Sequence, residues 1–596
     1  MIKERLAALR ALMKERKIDV YMIPTDDFHA SEYVGDYFKA RRYMSGFTGS
    51  AGTLVVTMTE AGLWADGRYF IQAENELKGS TIELYKMGQP DVPEIEKFIE
   101  EKVPENGCLG FDGRVVSAGL GMQLKEALAK KNAVIYGAED LVDAVWMDRP
   151  ALSKEPAFLL DIKWVGKSRA DKLAELRALM AEKKADSFIL TSLDDIAWLF
   201  NIRGNDVAHN PVVLSYAVIR MTECLLFVQE EAISAQVRAE LEADGVTLCP
   251  YNAVYEYVKT LPETETVLLS KKRINYAILN NLNEKITILD ETNPTTLKKA
   301  VKNEVELENL RKSHIKDGVA VTKFMYWLKN NVGKQKITEI SASDYLEERR
   351  KEQEGFIELS FNTISAYQAN AAMMHYSATP ESNAVLKPEG FLLVDSGGQY
   401  YEGTTDITRT FVLGAIPEEW KMHFTLVAKS MLNLANAKFL YGCTGANLDI
   451  LARGPLWNLG IDYQCGTGHG VGYLLNVHEG PNGFRWKRVP EREDQGVLEA
   501  GMVTTDEPGV YIADSHGIRT ENELICKKAE ANQYGQFMEF ETITFAPIDL
   551  DGIDTAYLNE VDKKQLNTYH AMVYEKLSPY LTEEEAVWLK KYTRAI

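Results

Sequence analysis

Cysteine is scarce in this chain. Six occur in 596 residues, at Cys108, Cys224, Cys249, Cys443, Cys465 and Cys526. None stands in a CxxC pair, so neither a disulfide framework nor a zinc ribbon fits, and reduced thiols in a cytoplasmic compartment are expected. Long apolar runs are missing too: none reaches the roughly 18 residues that a membrane span needs. The opening stretch MIKERLAALRALMKERK alternates charged with apolar residues and lacks the continuous apolar core of a signal peptide. Positive charge is in deficit, with 67 Lys and Arg against 87 Asp and Glu and a net charge of −20. Such a surface repels nucleic acid and anionic lipid, and neither is expected as a partner. The acid excess fits a well-solvated surface first and a site for hard cations second.

What is present is length and pattern. A chain of 596 residues implies three or more domains, and 45% apolar with 26% charged residues is ordinary globular composition. RLAALRALMKERKIDVYMI from Arg5 recurs as KLAELRALMAEKKADSFIL from Lys172. Leu6, Leu9, Arg10, Leu12, Met13, Glu15 and Asp19 return as Leu173, Leu176, Arg177, Leu179, Met180, Glu182 and Asp186. Leu6, Leu9 and Met13 keep helical spacing and Val20–Ile23 is a short apolar run, so each copy predicts an amphipathic helix feeding a buried strand. Two copies imply two α/β domains of similar build rather than a solenoid. Pro150 and Pro294 stand in the stretches that close them. The resulting division is 1–160, 161–300 and 301–596. The last region opens on a long helical pattern and turns, beyond Gly390, to strands. The fold class is α/β (α+β).

Chemistry concentrates in those strands. FLLVDSGGQYYEGTTDITRTFVL predicts an antiparallel hairpin. A turn midway between Tyr400 and Tyr401 sets Asp395 directly opposite Asp406. In VTTDEPGVYIADSHGIRTENELI, a turn centred on Asp514 sets Glu507 opposite Glu521. Like charges directly opposed on one sheet face destabilise it. In buried strands such carboxylates must be protonated or bind metal. Between the hairpins, CGTGHGVGYLLNVHEGP carries five glycines, which let backbone approach a site closely, together with His469 and His478. A set of Asp395, Asp406, His469, Glu507 and Glu521 is oxygen-rich with one imidazole. That mix suits a pair of divalent ions such as Mn²⁺, Co²⁺ or Zn²⁺ rather than structural zinc. Two such ions sharing a bridging hydroxide catalyse hydrolysis of an amide or ester.

This order and spacing, Asp395, Asp406, His469, Glu507 in DEPG and Glu521 in RTEN, resembles the metal set of the pita-bread metallopeptidases. SGFTGSAGT, WADGRYFIQAE, LDDIAWLFNIRGND and FNTISAYQANAAMMHY extend the resemblance over the whole chain, to the long, three-domain cytosolic form of Xaa-Pro aminopeptidase (aminopeptidase P). The resemblance implies two creatinase-like N-terminal domains before a pita-bread catalytic domain, and release of the first residue from peptides with proline second. It implies that Asp395 and Asp406 bind one ion, that His469 and Glu507 help bind the second, and that Asp406 and Glu521 bridge. The metal is usually manganese. His375, His478, Tyr511 and Arg519 fall on substrate positions, His375 and His478 against the scissile carbonyl or the proline side, with Glu507 as proton acceptor. Arg68 in DGRYF would contribute from the N-terminal domain, and members are commonly homodimers. The sequence departs from the family's HGTGH at Cys465. That thiol is either a small buried group or an oxidant-sensitive one.

Taken singly, these residues have plainer readings. His375 alone reads as a core histidine, Tyr511 as a strand residue and Arg519 as a counter-charge for nearby acids. His29, His209, His314, His423, His516 and His570 read as structural or surface residues. Two other functions compete with the leading one. A prolidase would cut only dipeptides, and its chains are usually shorter. A catalytically dead binding protein of this fold would have lost the ligands.

Overall fold

The computed structural model describes residues 1–489 and 493–596, with the side chain of Ile71 left aside. The chain forms two compact units, residues 1–160 with 167–295, and residues 161–166 with 296–596.

In the first unit the sequence repeat is a structural one. Helix Ile2–Arg16 feeds strand Val20–Pro24, and helix Arg169–Lys183 feeds strand Ser187–Leu190. Both helices stop alike: Lys17 and Lys184 turn left-handed at φ 57° and return their N–H to the last turn. The recurring side chains keep their contacts. Leu6, Leu9 and Met13 are buried, as are Leu173, Leu176 and Met180. Arg10 donates to the carbonyls of Thr57 and Glu60, and Arg177 to those of Arg220 and Glu223, so each ties its helix to a hairpin turn. Asp19 accepts the N–H of Cys108 at 2.8 Å, and Asp186 accepts that of Thr266 at 2.8 Å. Each aspartate thereby locks the first strand of its lobe to its parallel neighbour.

Each lobe carries a six-stranded mixed sheet of the same order. The lobes meet through reciprocal backbone bonds. Ala118 N–H donates to Ile274 and Tyr276 N–H to Val116; Gly119 donates to Lys271 and Ala277 to Gly113, all at 2.8 Å. Ser117 and Asn275, at the centre, each cap the helix that follows.

The second unit is antiparallel. Its long helix Glu304–Asn331 starts at Asn303, whose side chain takes the N–H groups of Val305 and Glu306 while Glu306 returns to the Asn303 N–H. One sheet orders Ile364–Tyr367, Phe391–Ser396 and Ile407–Val412. A larger one orders Lys438–Leu440, Gly535–Thr542, Asn522–Asn532, Val503–Asp506, Gly468–Gly470 and Glu479–Phe484. Its core is built around Phe391, Val427, Met431, Leu456, Phe484 and Leu577. It draws on helices Glu418–Ala435, Gly445–Trp457 and Glu560–Leu577. Burying a side chain of that size contributes about 1.5–3 kcal/mol, so this core holds the strands that carry the acids. Among the described residues no helix is long and apolar enough to cross a membrane.

The two acidic hairpins differ in register. Asp395 faces Thr408, not Asp406, and the inner pair Tyr400 and Gly403 keeps that register. The turn lies one residue later than the sequence suggests, between Tyr401 and Glu402. Gly403, at φ 125°, supplies the backbone angle that closes it there. A shift of one in the turn moves the partner by two, so Asp395 and Asp406 are diagonal neighbours on one face instead of directly opposed. The second hairpin follows the expected centre at Asp514. Tyr511 faces Gly517, and the outer ladder from Val503–Ile525 to Asp506–Asn522 shares the register, so Glu507 and Glu521 meet between the ladders.

Asp19→Ala would leave the Cys108 N–H without its acceptor. The unfolding free energy of the first unit is expected to fall by about 1 kcal/mol in chemical denaturation. An unchanged midpoint would show that the repeated aspartate does not hold the sheet.

Candidate metal centre

The acids converge because the ladders break beside them. Glu507 donates its N–H at 2.7 Å to Thr467, two residues before His469, and Glu521 donates at 3.1 Å to Thr408, two residues after Asp406. These two crossings draw three remote segments together. Asp406, His469 and Glu521 then offer donor atoms that all lie within 4.8 Å of one another. Donors about 2.1 Å from a shared cation sit within about 4.2 Å of each other, so the group is close to that geometry. His469 Nε2 lies 3.5 Å from Asp406 Oδ2 and 3.5 Å from Glu507 Oε1. Its Nδ1 stands 2.9 Å from the Gly470 carbonyl, an acceptor that favours the tautomer with the proton on Nδ1 and a lone pair on Nε2, the form that binds a cation.

The electrostatics call for positive charge. Burial, then Asp395, Glu507 and Glu523, pushes the Asp406 carboxyl well above the ordinary range. Burial, then Asp406, Glu507 and Asp395, does the same to Glu521, although the Thr408 hydroxyl donates to it at 2.7 Å. One oxygen each of Asp395 and Asp406 is buried without a hydrogen-bond partner. Arg519 donates to the other oxygen of Asp395 and, at 2.7 Å, to the Tyr511 hydroxyl. One guanidinium cannot balance four carboxylates. The unpartnered oxygens and the Nε2 lone pair fit divalent cations.

The other predicted residues fall as follows. The His478 ring meets that of His469 edge-on at 4.3 Å. Tyr511 and Arg519 pair across the second hairpin. His375 is exposed on the loop after Ile364–Tyr367. Glu339 anchors that loop, taking the N–H of Tyr367 at 2.7 Å, the hydroxyl of Tyr376 at 2.9 Å and the N–H of Ala384 at 2.9 Å. Arg68 belongs to the first unit, where Asp66 holds it through Nε and a terminal nitrogen. The Cys465 thiol, partly buried against the core, is pushed up to about 12 by desolvation and by Glu507.

Two residues escaped the sequence reading, Arg409 and Glu523, and His314 was read only as structural or surface. Arg409 donates to the Glu521 carbonyl at 2.6 Å and to Asn522 Oδ1 at 2.8 Å, fixing the backbone that carries Glu521. Glu523 accepts the Asp406 N–H, and His314 backs Glu523. The signal for Glu523 is its spacing of two from Glu521, which places both carboxylates on one face of an extended chain.

Comparison with known proteins accords with this geometry. The family described as Creatinase/Prolidase N-terminal domain matches residues 5–145 and again 148–306. Metallopeptidase family M24 matches 308–528, and the C-terminal region of peptidase M24 matches 536–596. The chain is 39% identical, over 100% of its length and 99% of the relative's, to the "Probable Xaa-Pro aminopeptidase P" of Paracoccidioides brasiliensis (strain Pb03). A protein of the same name from Pyrenophora teres f. teres (strain 0-1) is 41% identical over 99% of this chain and 92% of its own. Among solved structures, the X-prolyl aminopeptidase of Caenorhabditis elegans superposes with a TM-score of 0.94 at 35% identity, covering 100% of both chains. It is described as a cytosolic enzyme with a di-nuclear active site.

Asp406 and Glu521 hold protons in the folded, metal-free chain at a pH where the unfolded chain, titrating near 4, has released them. The native state then binds more protons than the unfolded one, so their contribution to stability falls as pH rises through the raised values. The melting temperature of metal-free protein is expected to drop as pH rises above the ordinary carboxylate range, and to drop less in Glu521→Gln. Equal slopes for the two proteins would contradict this assignment.

Proposed function

The chain belongs to metallopeptidase family M24, behind two creatinase/prolidase N-terminal domains, and from that premise we propose that it is an Xaa-Pro aminopeptidase. It hydrolyses the Xaa–Pro bond at the N-terminus of peptides and releases the first residue. The domains divide at 1–160, 161–300 and 301–596, with the pita-bread catalytic domain last. Asp395 and Asp406 would hold one divalent ion, His469 and Glu507 would help hold a second, and Asp406 and Glu521 would be shared between the two. The ions are Mn²⁺. The observation that carries this reading is the buried, mutually repelling pair Asp406 and Glu521 beside the free nitrogen of His469.

Two bound divalent cations supply a water of lowered pKa and polarise the scissile carbonyl. The protein's own residues do the rest. Glu507 is the only one of the four acids left partly open, its side chain 21% exposed, and the Thr505 hydroxyl steadies its Oε1 at 3.2 Å. It accepts the proton of the attacking water and passes it to the departing proline nitrogen. Arg519 holds Asp395 and Tyr511 in one arrangement and keeps its charge: burial opposes that charge, but Tyr511, Asp395 and Glu507 outweigh it. His478, beside His469, and His375 contact the substrate carbonyl or the proline side. A dead binding protein is disfavoured because the acids keep the geometry that cations need.

The enzyme acts in the cytoplasm as a homodimer. Support for the dimer comes from Trp457 and Trp486, which meet edge-on at 5.5 Å yet are 37% and 44% exposed, with Leu459 and Ile450 exposed nearby in sequence. Aromatic residues are enriched at protein interfaces relative to the rest of the surface.

Xaa-Pro-Yaa tripeptides should release their first residue, with Xaa-Ala-Yaa inert. EDTA should abolish turnover and Mn²⁺ restore it best. Glu507→Gln should lower kcat by about 10²–10⁴-fold with KM little changed. Cleavage restricted to Xaa-Pro dipeptides would make the protein a prolidase, and full activity in Glu507→Gln would remove the proton role. In analytical ultracentrifugation, the double variant Trp457→Ser and Trp486→Ser should sediment as a monomer where the natural chain is a dimer. A dimer in both would clear this surface.

A further inference from the structure

Helix Glu304–Asn331 reaches the acidic centre at two points on one face. His314 and Asp317, three residues apart, are both fully buried. Asp317 accepts from Arg350 Nε at 2.6 Å, from the Tyr400 hydroxyl at 2.9 Å and from the Thr405 hydroxyl at 2.9 Å. His314 Nδ1 lies 2.7 Å from the Leu310 carbonyl, and its Nε2 lies 3.0 Å from Glu523 Oε1. The same Glu523 oxygen accepts the N–H of Asp406 at 2.7 Å. The helix therefore grips consecutive residues of one strand crossing. Asp317 takes the side chain of Thr405, and Glu523, backed by His314, takes the backbone of Asp406.

The local backbone explains why a carboxylate is used. Residues 405 and 406 fall between the short strand Gly403–Thr404 and the strand Ile407–Val412. The Asp406 N–H has left the ladder there, and Glu523 supplies its acceptor. A charged acceptor holds an N–H more strongly than a carbonyl does. It also places a fifth acid next to a centre that already repels itself, and acid so close to Asp406 and Glu521 serves no purpose as mere filling. His314 lies against that charge from the helix side: its Nδ1–H goes to the Leu310 carbonyl, and burial is outweighed by Glu523, which favours a second proton on the Nε2 that faces it at 3.0 Å.

We propose that Glu523, held by His314, is a positioning residue for the cation centre. It fixes the Asp406 peptide so that the free Asp406 oxygen is already aimed at the ions before they arrive. This inference rests on the reading of Asp406 as a ligand that bridges two divalent cations.

The test is Mn²⁺ binding to the metal-stripped full-length chain, with free Mn²⁺ counted by electron paramagnetic resonance and metal-free melting followed by circular dichroism. Glu523→Gln keeps the shape and removes the charge; its Mn²⁺ affinity is expected to fall by about 10–100-fold. His314→Gln, which leaves the carboxylate but takes away its partner, should also weaken Mn²⁺. Both metal-free variants should melt cooperatively with natural secondary structure. Natural Mn²⁺ affinity in both variants overturns the inference, and so does a loss of Mn²⁺ that only accompanies lost secondary structure in both. If the natural chain itself takes up no Mn²⁺, the two-ion reading falls and takes the inference with it. Normal loading of the natural chain beside unchanged variants removes the inference alone.

Discussion

Asp406 and Glu521 repel each other inside the protein, and the architecture of the second unit follows from holding them there. Two carboxylates in a dry interior are unfavourable as free charges. The protein keeps them together by interrupting its own ladders. At Asp406, Glu507 and Glu521 the backbone N–H leaves its hairpin and donates to Glu523, Thr467 and Thr408 respectively. Two of the crossings tie the Asp406 segment to that of Glu521 and Glu523, and the third ties Glu507 to the segment of His469. The repulsion that the crossings build up is what makes the centre a site for cations.

Around those crossings several buried side chains hold the backbone in place, while one oxygen each of Asp395 and Asp406 is left without a partner. Arg409 reaches the Glu521 and Ala546 carbonyls and the Tyr569 hydroxyl, with little freedom left. Arg453 holds Asp449 and the Tyr463 carbonyl, and Asp449 in turn takes the Thr467 hydroxyl at 2.6 Å, steadying the turn that leads to His469. Glu339 does the same for the loop that bears His375. Each of these buried, hydrogen-bonded side chains restricts the backbone it holds. Such rigidity is what a cation centre requires, because a displacement of a fraction of an ångström changes which donors reach the ion.

The first unit shows a different economy. A helix, a strand and their fastening residues were used twice, and the fastenings survived with the apolar pattern. Arg10 and Arg177 still reach hairpin carbonyls, and Asp19 and Asp186 still clasp a parallel strand. Both contacts are side chain to backbone, so they tolerate change in the residue they touch. That is why these positions recur while their partners differ: Cys108 in one lobe, Thr266 in the other.

Periodicity and turn chemistry are local, and the sequence alone was sufficient for what they govern. The repeat, its helix and strand, the two hairpins, the face that carries the acids and the turn at Asp514 could all be read from residue order. The ligand set came from its resemblance to a known family. The first hairpin was misplaced by one residue, because nothing short of the folded backbone shows that Gly403 closes the turn. The roles of His314 and Glu523 depend on residues some two hundred positions apart meeting at 3.0 Å. Glu507 and Glu521 were paired correctly, but their attachment to Thr467 and Thr408 belongs to tertiary structure. Local pattern sets which side chains share a face. Only the packing of distant segments decides which backbone groups leave their ladders, and those departures are what bring the acids into one place.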